Sequence, residues 1–358
     1  MGLRHLANSF IRKFLGNKIF WLYVICVGLV LGTALLALLI SSVSFPIPVI
    51  LHIVAEHTLG LGWLEDVPEN VNMIIWEIRF PRVLLGILVG AALSLAGAAF
   101  QGLLRNPLAD PYTIGVSSGA ALGAVFVLFF QISIVGLYEY TLPIISILSG
   151  FAALLLVFGV TRLSSRHLSI ETIILAGIIV SAFIGALISL VISLSPREDV
   201  GQILYWLMGN IGMRGWTHVT LIIPFLIIGS AMLLLSHREL NALALGESSA
   251  ENIGVNVKKS KVLILIGASL LTGASVAVSG TVGFVGLVIP HLVRLLVGPN
   301  HRHVLPLSML IGSSYLVIAD LLARTLIAPS ELPIGVITAL IGTPIFALLL
   351  IREKARKG

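Results

Sequence analysis

Charged residues are scarce in this sequence. Asp, Glu, Lys and Arg make up 11% of its 358 residues, whereas hydrophobic residues make up 58%. Soluble domains carry about 25% charged residues, so this composition, with a mean hydropathy of +1.08, excludes an ordinary soluble domain. It predicts an all-α protein that crosses a lipid bilayer several times, because a chain in lipid must satisfy its backbone hydrogen bonds internally.

Cysteine is nearly absent. The single Cys26 lies in an apolar run, which excludes a disulfide or a cysteine metal cluster within one chain. Two histidine pairs, His52 with His57 and His301 with His303, lack further ligands at a convincing spacing. We therefore expect no metal or cofactor to be bound by this chain, with a metal role for either pair as the less favoured alternative.

Several catalytic signatures are also missing. The sequence contains no G-x-x-x-x-G-K-[ST] phosphate loop, no H-E-x-x-H and no G-x-S-x-G. We expect no enzymatic activity, and any ATP and magnesium that the protein uses must bind a partner chain. The apolar runs hold almost no charge; the exception, Asp320, stands one helical turn before Arg324 and is expected to pair with it. An ion-coupled secondary transporter acting alone is the alternative interpretation, and this scarcity of titratable groups weighs against it.

Long uncharged runs organise the rest of the chain. A membrane span needs about 20 apolar residues. Runs of this kind cover residues 19–40, 83–104, 111–138, 140–161, 172–196, 215–236, 262–293, 304–319 and 332–351. The run from Val262 is too long for one crossing and is broken by glycine, so we expect two crossings joined by a turn near residues 279–283. The pattern predicts about ten transmembrane helices in a single domain over residues 1–358, with both termini on the same side.

The basic residues are distributed unevenly between the two predicted sides. The outer segments hold arginines and no lysine: Arg79, Arg82, Arg197, Arg214 and Arg324. The other basic residues lie on the opposite side, including the N-terminus 1–18, the loop 237–261 and the tail 352–358. Since Lys and Arg are enriched in cytoplasmic segments, we expect a cell-membrane protein in contact with lipid, with both termini in the cytoplasm. The net charge of +6 then reflects topology and not nucleic-acid binding.

The loop 237–261 has helical patterning. Three apolar residues lie on one face of a helical turn: Leu240, Leu243 and Ala244. Gly246 is a natural helix stop, and the S-x-x-E spacing at residues 248–251 fits a capping box that starts a second short helix ending at Gly254. Two capped helices in a polar loop indicate a docking surface for a soluble partner. A plain solvated connection explains the pattern equally well.

Three of the outer arginines are predicted to lie around the outer opening of the helix bundle. Arg79 and Arg82 precede the second span, and Arg324 ends the ninth. They could grip acidic residues of an extracytoplasmic partner in bidentate pairs, or extend to lipid phosphates, and the sequence leaves both open. Two connecting segments have regular patterns: residues 105–111 form a proline-restricted turn, and residues 198–210 read as a short amphipathic helix at the membrane interface.

Several short motifs follow one another along the chain from about residue 78 to residue 351. They are Arg79-Phe80-Pro81-Arg82, residues 101–111, Gly115 with Gly119, and residues 205–209, 245–247, 283–291 and 331–335. With these motifs the sequence resembles the FecCD-type permeases, membrane subunits of bacterial ABC importers for iron-siderophores, haem and cobalamin. The resemblance implies the type II ABC importer architecture. In it, a second copy of the chain completes a central path, two cytoplasmic ABC ATPase subunits bind ATP and Mg, and a substrate-binding protein delivers the cargo.

The resemblance also implies roles for individual residues. The ATPase-coupling residues are Leu240, Leu243, Ala244, Leu245, Gly246, Glu247, Ser248, Ala250, Ile253 and Gly254. The residues that dock the binding protein are Arg79, Arg82 and Arg324, and the cytoplasmic gate consists of Ser169, Ile170, Glu171 and Thr172. Ile170 and Glu171 depart from the small hydroxyl residues that are common in this gate among cobalamin permeases.

Overall fold

A computed structural model describes residues 2–41, 43–63, 67–164, 169–212 and 214–357 of the chain. The outermost residues of the predicted N-terminus 1–18 and tail 352–358 lie outside the described residues. So does the segment 165–168, which directly precedes the predicted gate.

The described residues form helices joined by short loops. The helices are α1 (Gly2–Leu39), α2 (Ile47–Leu59), α3 (Glu69–Met73), α4 (Phe80–Leu103), α5 (Val116–Phe130), α6 (Tyr138–Ser164), α7 (Ile170–Leu194), α8 (Arg197–Leu207), α9 (Trp216–Leu235), α10 (His237–Leu243), α11 (Glu247–Asn252), α12 (Val257–Ser279), α13 (Val285–Val297), α14 (His301–Thr325) and α15 (Ile334–Lys357). A π-helical stretch, Ile74–Arg79, joins α3 to α4, and a 3-10 turn, Pro111–Ile114, precedes α5.

These helices match the predicted spans. Among the described residues, seven helices are long and apolar enough to cross a membrane. The remaining predicted spans are occupied by the shorter helices α5 and α13 and by the apolar part of α15, Ile334–Leu349. The long run from Val262 does divide, because α12 ends at Ser279 and α13 begins at Val285. Gly280 and Phe284, with φ angles of 68° each, turn the chain between them. The predicted amphipathic helix over residues 198–210 is confirmed as α8.

Two helices form the centre of the bundle. In the most apolar stretch of the α3–α4 segment 83% of the residues are buried, and in α12 78%, compared with 22% in α1 and 28% in α7 and α9. All of these helices are apolar, because a helix that faces lipid keeps apolar side chains on its outer surface. They differ in how much of them is buried: α4 and α12 lie inside the bundle, whereas α1, α7 and α9 lie at its periphery.

Glycines allow the central helices to approach closely. A Cβ atom on Gly97 of α4 would overlap the backbone of Gly286 in α13, and one on Gly90 would overlap the backbone of Gly312 in α14. Helices in lipid gain no hydrophobic effect from association, so close van der Waals contact between small residues supplies much of the packing energy. These crossings position the ends of α4, α13 and α14, which carry the polar sites described below.

The chain between α1 and α4 holds structure that the hydropathy pattern did not predict. Helix α2 and the π-helical stretch pack beside the start of α4. The His57 ring stacks on Trp76 at 4.4 Å between ring centroids, and Trp76 lies tilted against Trp216 of α9 at 4.6 Å. Trp216 also donates a hydrogen bond from Nε1 to the Trp76 carbonyl oxygen at 2.9 Å. These contacts hold the chain between α1 and α4 against α9. We call this end of the bundle the Arg82 end, and the opposite end, which carries α10 and α11, the Gly246 end.

Candidate functional site

The predicted helix pair around Gly246 is present. Helix α10 ends at Leu243 and α11 begins at Glu247, with Gly246 between them at a φ of 111° that disfavours any other residue. Leu240 and Leu243 are 0% and 2% exposed, and Ala250 of α11 is fully buried. These apolar side chains seat both short helices on the bundle, so the pair is a packed unit and not a loose connection.

The outer surface of the same pair exposes two large apolar side chains. Leu245 is 72% exposed and Ile253 is 65% exposed, one on each side of Gly246. Ala244, Ser248 and Gly254 are exposed as well. Ala244 was expected on the same face as Leu240 and Leu243. It is exposed instead, at the C-cap of α10. Of the ten predicted coupling residues, three are buried and hold the pair, Gly246 and Glu247 are partly exposed, and the other five are exposed where a partner can reach them.

The predicted capping box is wrong. Gly246 is the N-cap of α11 and has no side chain to accept a hydrogen bond, so the helix begins one residue before Ser248. Glu247 occupies the first turn and forms an ion pair across to α12: its Oε2 lies 2.6 Å from Nζ of Lys261. The Lys261 side chain is 4% exposed and the Glu247 side chain 37%. The ion pair connects α11 to the N-terminal part of α12 through a nearly buried lysine.

Asn241 connects α10 to the first turn of α14. Its Oδ1 accepts hydrogen bonds from the backbone N and from Nδ1 of His301, each at 2.9 Å. Its Nδ2 donates to Oδ1 of Asn300 at 2.9 Å. Asn300 is itself the N-cap of α14, since its Oδ1 accepts from the backbone N of Arg302 at 3.0 Å. A displacement of α10 therefore acts directly on the start of a membrane-spanning helix.

The polar contacts continue from α14 into the centre of the bundle. The His301 ring packs directly on Gly102, near the end of α4, where a Cβ atom would overlap its Nε2. The neighbouring Gln101 donates from Nε2 to the carbonyl oxygens of Gly286 at 3.1 Å and Leu287 at 3.0 Å, and its Oε1 accepts from Arg294 of α13. The Gly246 helix pair thus reaches α14, α4 and α13 through consecutive contacts.

The predicted gate residues lie at the start of α7. Ser169 is the N-cap: its Oγ accepts from the backbone N of Thr172 at 3.2 Å and lies 2.8 Å from the Thr172 hydroxyl. Ile170 is 6% exposed, whereas Glu171 faces outward. The hydroxyl residues of this segment therefore cap a helix, and their gating role stays a prediction.

Arg82 is the centre of an ion cluster at the other end. Its Nε and Nη2 bond the carboxylate of Asp320 at 2.8–3.0 Å, and its Nη1 and Nη2 bond Glu331 at 2.8 and 3.1 Å. The three side chains are 12%, 4% and 35% exposed, respectively. The expected pairing of Asp320 with Arg324 is present but longer, with 3.8 Å between Nε and Oδ2. Asp320 is thus primarily the partner of Arg82.

Arg79 and Arg324 hold the end of α1. Arg79 donates to the carbonyl oxygens of Leu38, at 3.1 Å, and Val43, and its guanidinium lies 4.8 Å from the centre of the Phe45 ring. Arg324 donates to the carbonyl oxygen of Ala37. Cations near a helix C-terminus stabilise its free carbonyl groups. The structure brings the three predicted docking arginines together, but most of their donors bond groups within the chain. Their docking role remains a prediction.

The histidine pairs do not converge on a common ligand sphere. His52 accepts from the backbone N of Trp63 and lies 3.2 Å from a carboxylate oxygen of Glu56, while His57 lies 2.9 Å from Oδ1 of Asn72. Over the described residues, no group of three or more His, Cys, Asp or Glu side chains is placed to hold a metal ion.

A bundle of membrane-spanning helices, with a seated helix pair at one end and an ion cluster at the other, defines a polytopic membrane protein. The chain belongs to the FecCD transport family, whose model matches residues 29–352. It is 48% identical to the uncharacterised ABC transporter permease protein YvrB of Bacillus subtilis, over 97% of this chain and 98% of that protein. It is 42% identical to the cobalamin import system permease protein BtuC of Halobacterium salinarum, over 81% of this chain and 76% of the relative.

A solved structure gives the same fold. It is described as an inward-facing ABC transporter of proposed metal-chelate type, and it superposes with a TM-score of 0.80 at 35% identity, covering 94% of this chain and 99% of that one. The chain is therefore a membrane permease subunit of an ABC importer. Permeases of this class work with ATPase and binding-protein partners.

Proposed function

We propose that this chain pairs with a second copy in the plasma membrane of a bacterium and imports an iron-siderophore, haem or cobalamin. Both termini lie in the cytoplasm, two cytoplasmic ATPase subunits engage the Gly246 end, and a substrate-binding protein docks on the Arg82 end. The uneven distribution of basic residues supports this orientation, because the Gly246 loop carries Lys258, Lys259 and Lys261 and the Arg82 end carries no lysine. The named cargoes of the relatives differ, so the cargo is proposed as a class.

The observation that carries the proposal is the surface of the helix pair. Leu245 and Ile253 are large apolar side chains exposed beside Gly246, whereas the residues beneath them are buried. Exposed apolar residues on a rigid support are typical anchors of protein interfaces. ATP binding and hydrolysis on the partner would then move α10, and Asn241 would pass the movement to α14, since a ligand shifts a conformational equilibrium only through contacts that differ between its states.

Co-purification with the ATPase tests this assignment. Leu245→Glu and Ile253→Glu change exposed side chains and should leave the melting temperature within about 2 °C of the native protein, as surface substitutions usually do. We expect either change to weaken ATPase association at least about tenfold, the effect of losing about 1.4 kcal/mol. Val135→Glu, at a residue 86% exposed, is the matched control. Undiminished association in both variants would contradict the assignment.

Docking of the binding protein requires a test that separates affinity from folding. Arg82 is bonded within the chain, so Arg82→Gln is expected to lower the melting temperature as well as the affinity for the binding protein. Affinity is measured over a salt series on variants that remain folded, because an interface ion pair weakens as salt rises. A folded Arg82→Gln protein with native affinity at low salt would assign Arg82 to internal stability alone.

A further inference from the structure

Two adjoining cavities lie at the base of the Gly246 helix pair. The first, about 300 Å³, is the more polar of the two and lies between α10 and the start of α12. It is lined by Ser236, Glu239, Gly254, Val255, Asn256, Lys259, Ser260 and Leu263. The second, about 430 Å³, is mostly apolar. It is lined by Met232, Asn256, Lys258, Lys259, Val262, Leu263 and Ile266. Asn256, Lys259 and Leu263 line both, so the cavities form one cleft with a polar part and an apolar part.

The cleft lies at the ends of two membrane-spanning helices, where the membrane surface is expected. The apolar part runs along the last turns of α9 and the first turns of α12, two helices long and apolar enough to cross a bilayer. The polar part begins where those helices leave their apolar runs. A cleft of this kind suits an amphiphile that lies with its chain against the helices and its polar group at their ends.

The polar part holds charges of both signs that do not neutralise each other. Glu239 lines the first cavity and is partly exposed. Lys259 lines the same cavity, and within the described part of the chain these two side chains form no ion pair. A ligand with a cationic N–H group and a separate anionic group would satisfy both residues.

We propose that the cleft binds phosphatidylethanolamine from the surrounding membrane. The phosphate lies against Lys259, the primary ammonium donates to Glu239, and one acyl chain follows Met232, Val262 and Ile266. Basic residues beside spans attract phospholipid headgroups, but the negative charge of Glu239 in the same cleft selects against a purely anionic lipid. Ser236 precedes α10 and Gly254 follows α11, so the bound lipid would hold both ends of the helix pair.

Native mass spectrometry of the full-length protein tests the proposal. The detergent-solubilised chain is titrated with phosphatidylethanolamine, phosphatidylglycerol or phosphatidylcholine of identical acyl chains. We expect phosphatidylethanolamine to be retained about tenfold better than either of the others, because a hydrogen bond to a charged group is worth at least about 1.5 kcal/mol. Phosphatidylglycerol lacks the ammonium, and the quaternary ammonium of phosphatidylcholine has no N–H to donate. Equal retention of the three lipids overturns the proposal.

Variants separate the two charges. Glu239→Gln should abolish the preference for phosphatidylethanolamine over phosphatidylglycerol, while Lys259→Ala should weaken the binding of both. Leu263→Trp, which fills the part shared by the two cavities, should exclude lipid without changing a charge. Arg238→Ala is the control, because Arg238 is an exposed neighbour on α10 that does not line the cleft. A native preference in Glu239→Gln, or displacement of the lipid by excess inorganic phosphate, contradicts a lipid site.

Discussion

Replacing Asn241 by Ala should loosen α10 from the bundle by a measurable amount. The change removes two hydrogen bonds from His301 and one to Asn300, all at 2.9 Å. A hydrogen bond contributes about 0.5–1.5 kcal/mol net, so the three together should be worth about 2–3 kcal/mol. Leu240 and Leu243 remain buried in the variant, so α10 should stay folded in its place while its local opening becomes more frequent.

Hydrogen exchange measured by mass spectrometry reads out this opening. Where exchange is limited by the opening equilibrium, a loss of about 2–3 kcal/mol accelerates it about 30- to 150-fold in the peptide that contains residues 237–243. Asn241→Asp keeps the acceptor for His301 and loses one bond, so its acceleration should be about fivefold, from about 1 kcal/mol. Asn252→Ala, at an exposed residue of α11, should leave the peptide unchanged.

The outcome that refutes the role of Asn241 is equally specific. If Asn241→Ala and Asn252→Ala give the same exchange in residues 237–243, the apolar contacts alone hold α10. If exchange accelerates across the whole chain, the variant has lost global stability, and the link from α10 to α14 is not local. In the complete transporter, the Asn241→Ala variant should hydrolyse ATP but transport less cargo for each ATP consumed.

Three further predictions concern stability. Gly97→Ala should destabilise the protein by about 1–3 kcal/mol, because the added methyl overlaps the backbone of α13, whereas Gly159→Ala, with open space around it, should be neutral or stabilising in a melting assay. Asp320→Ala should cost about 3 kcal/mol, since it leaves a largely buried arginine without its main partner, and Glu331→Gln should cost clearly less because Glu331 is more exposed. Burial raises the pKa of Asp110 to about 6, so the folded chain keeps a proton that the unfolded chain loses between about pH 4 and 6, and stability should fall as pH rises through that range. Asp110→Asn, which keeps a side-chain acceptor for the backbone N of the 3-10 turn, should reduce that fall; an identical pH profile contradicts the burial of this carboxyl.

The spans could be predicted because lipid imposes a simple rule. Uncharged runs must be helices of a certain length, and the glycines within the run from Val262 marked the turn that separates α12 from α13. Helix α2 escaped the same reasoning, because Ile47–Leu59 is too short for a span and carries His52, Glu56 and His57. Its packing depends on Trp76 and Trp216, which lie far from it in sequence.

The sites were harder to predict for a similar reason. Glu331 is 249 residues from Arg82 in the sequence, and Asp320 is 238 residues from it. No local sequence pattern could therefore predict that these two carboxylates pair with Arg82. The capping-box spacing at residues 248–251 was misleading, because the backbone at Gly246 starts α11 earlier. Lys261 gave a usable signal, since a lysine at the start of an apolar run must find a partner, but the sequence alone did not identify it as Glu247.

Cross-linking from Ile253 tests most directly that the Gly246 helix pair receives the ATPase. Cys26 is the only cysteine, so Cys26→Ser gives a background in which Ile253→Cys is unique. In membranes that contain the ATPase and the substrate-binding protein, Ile253→Cys should cross-link to the ATPase, and the yield should change when ATP is added. Val135→Cys should give no such product. No ATPase cross-link from Ile253→Cys, or an equal one from Val135→Cys, would contradict the account.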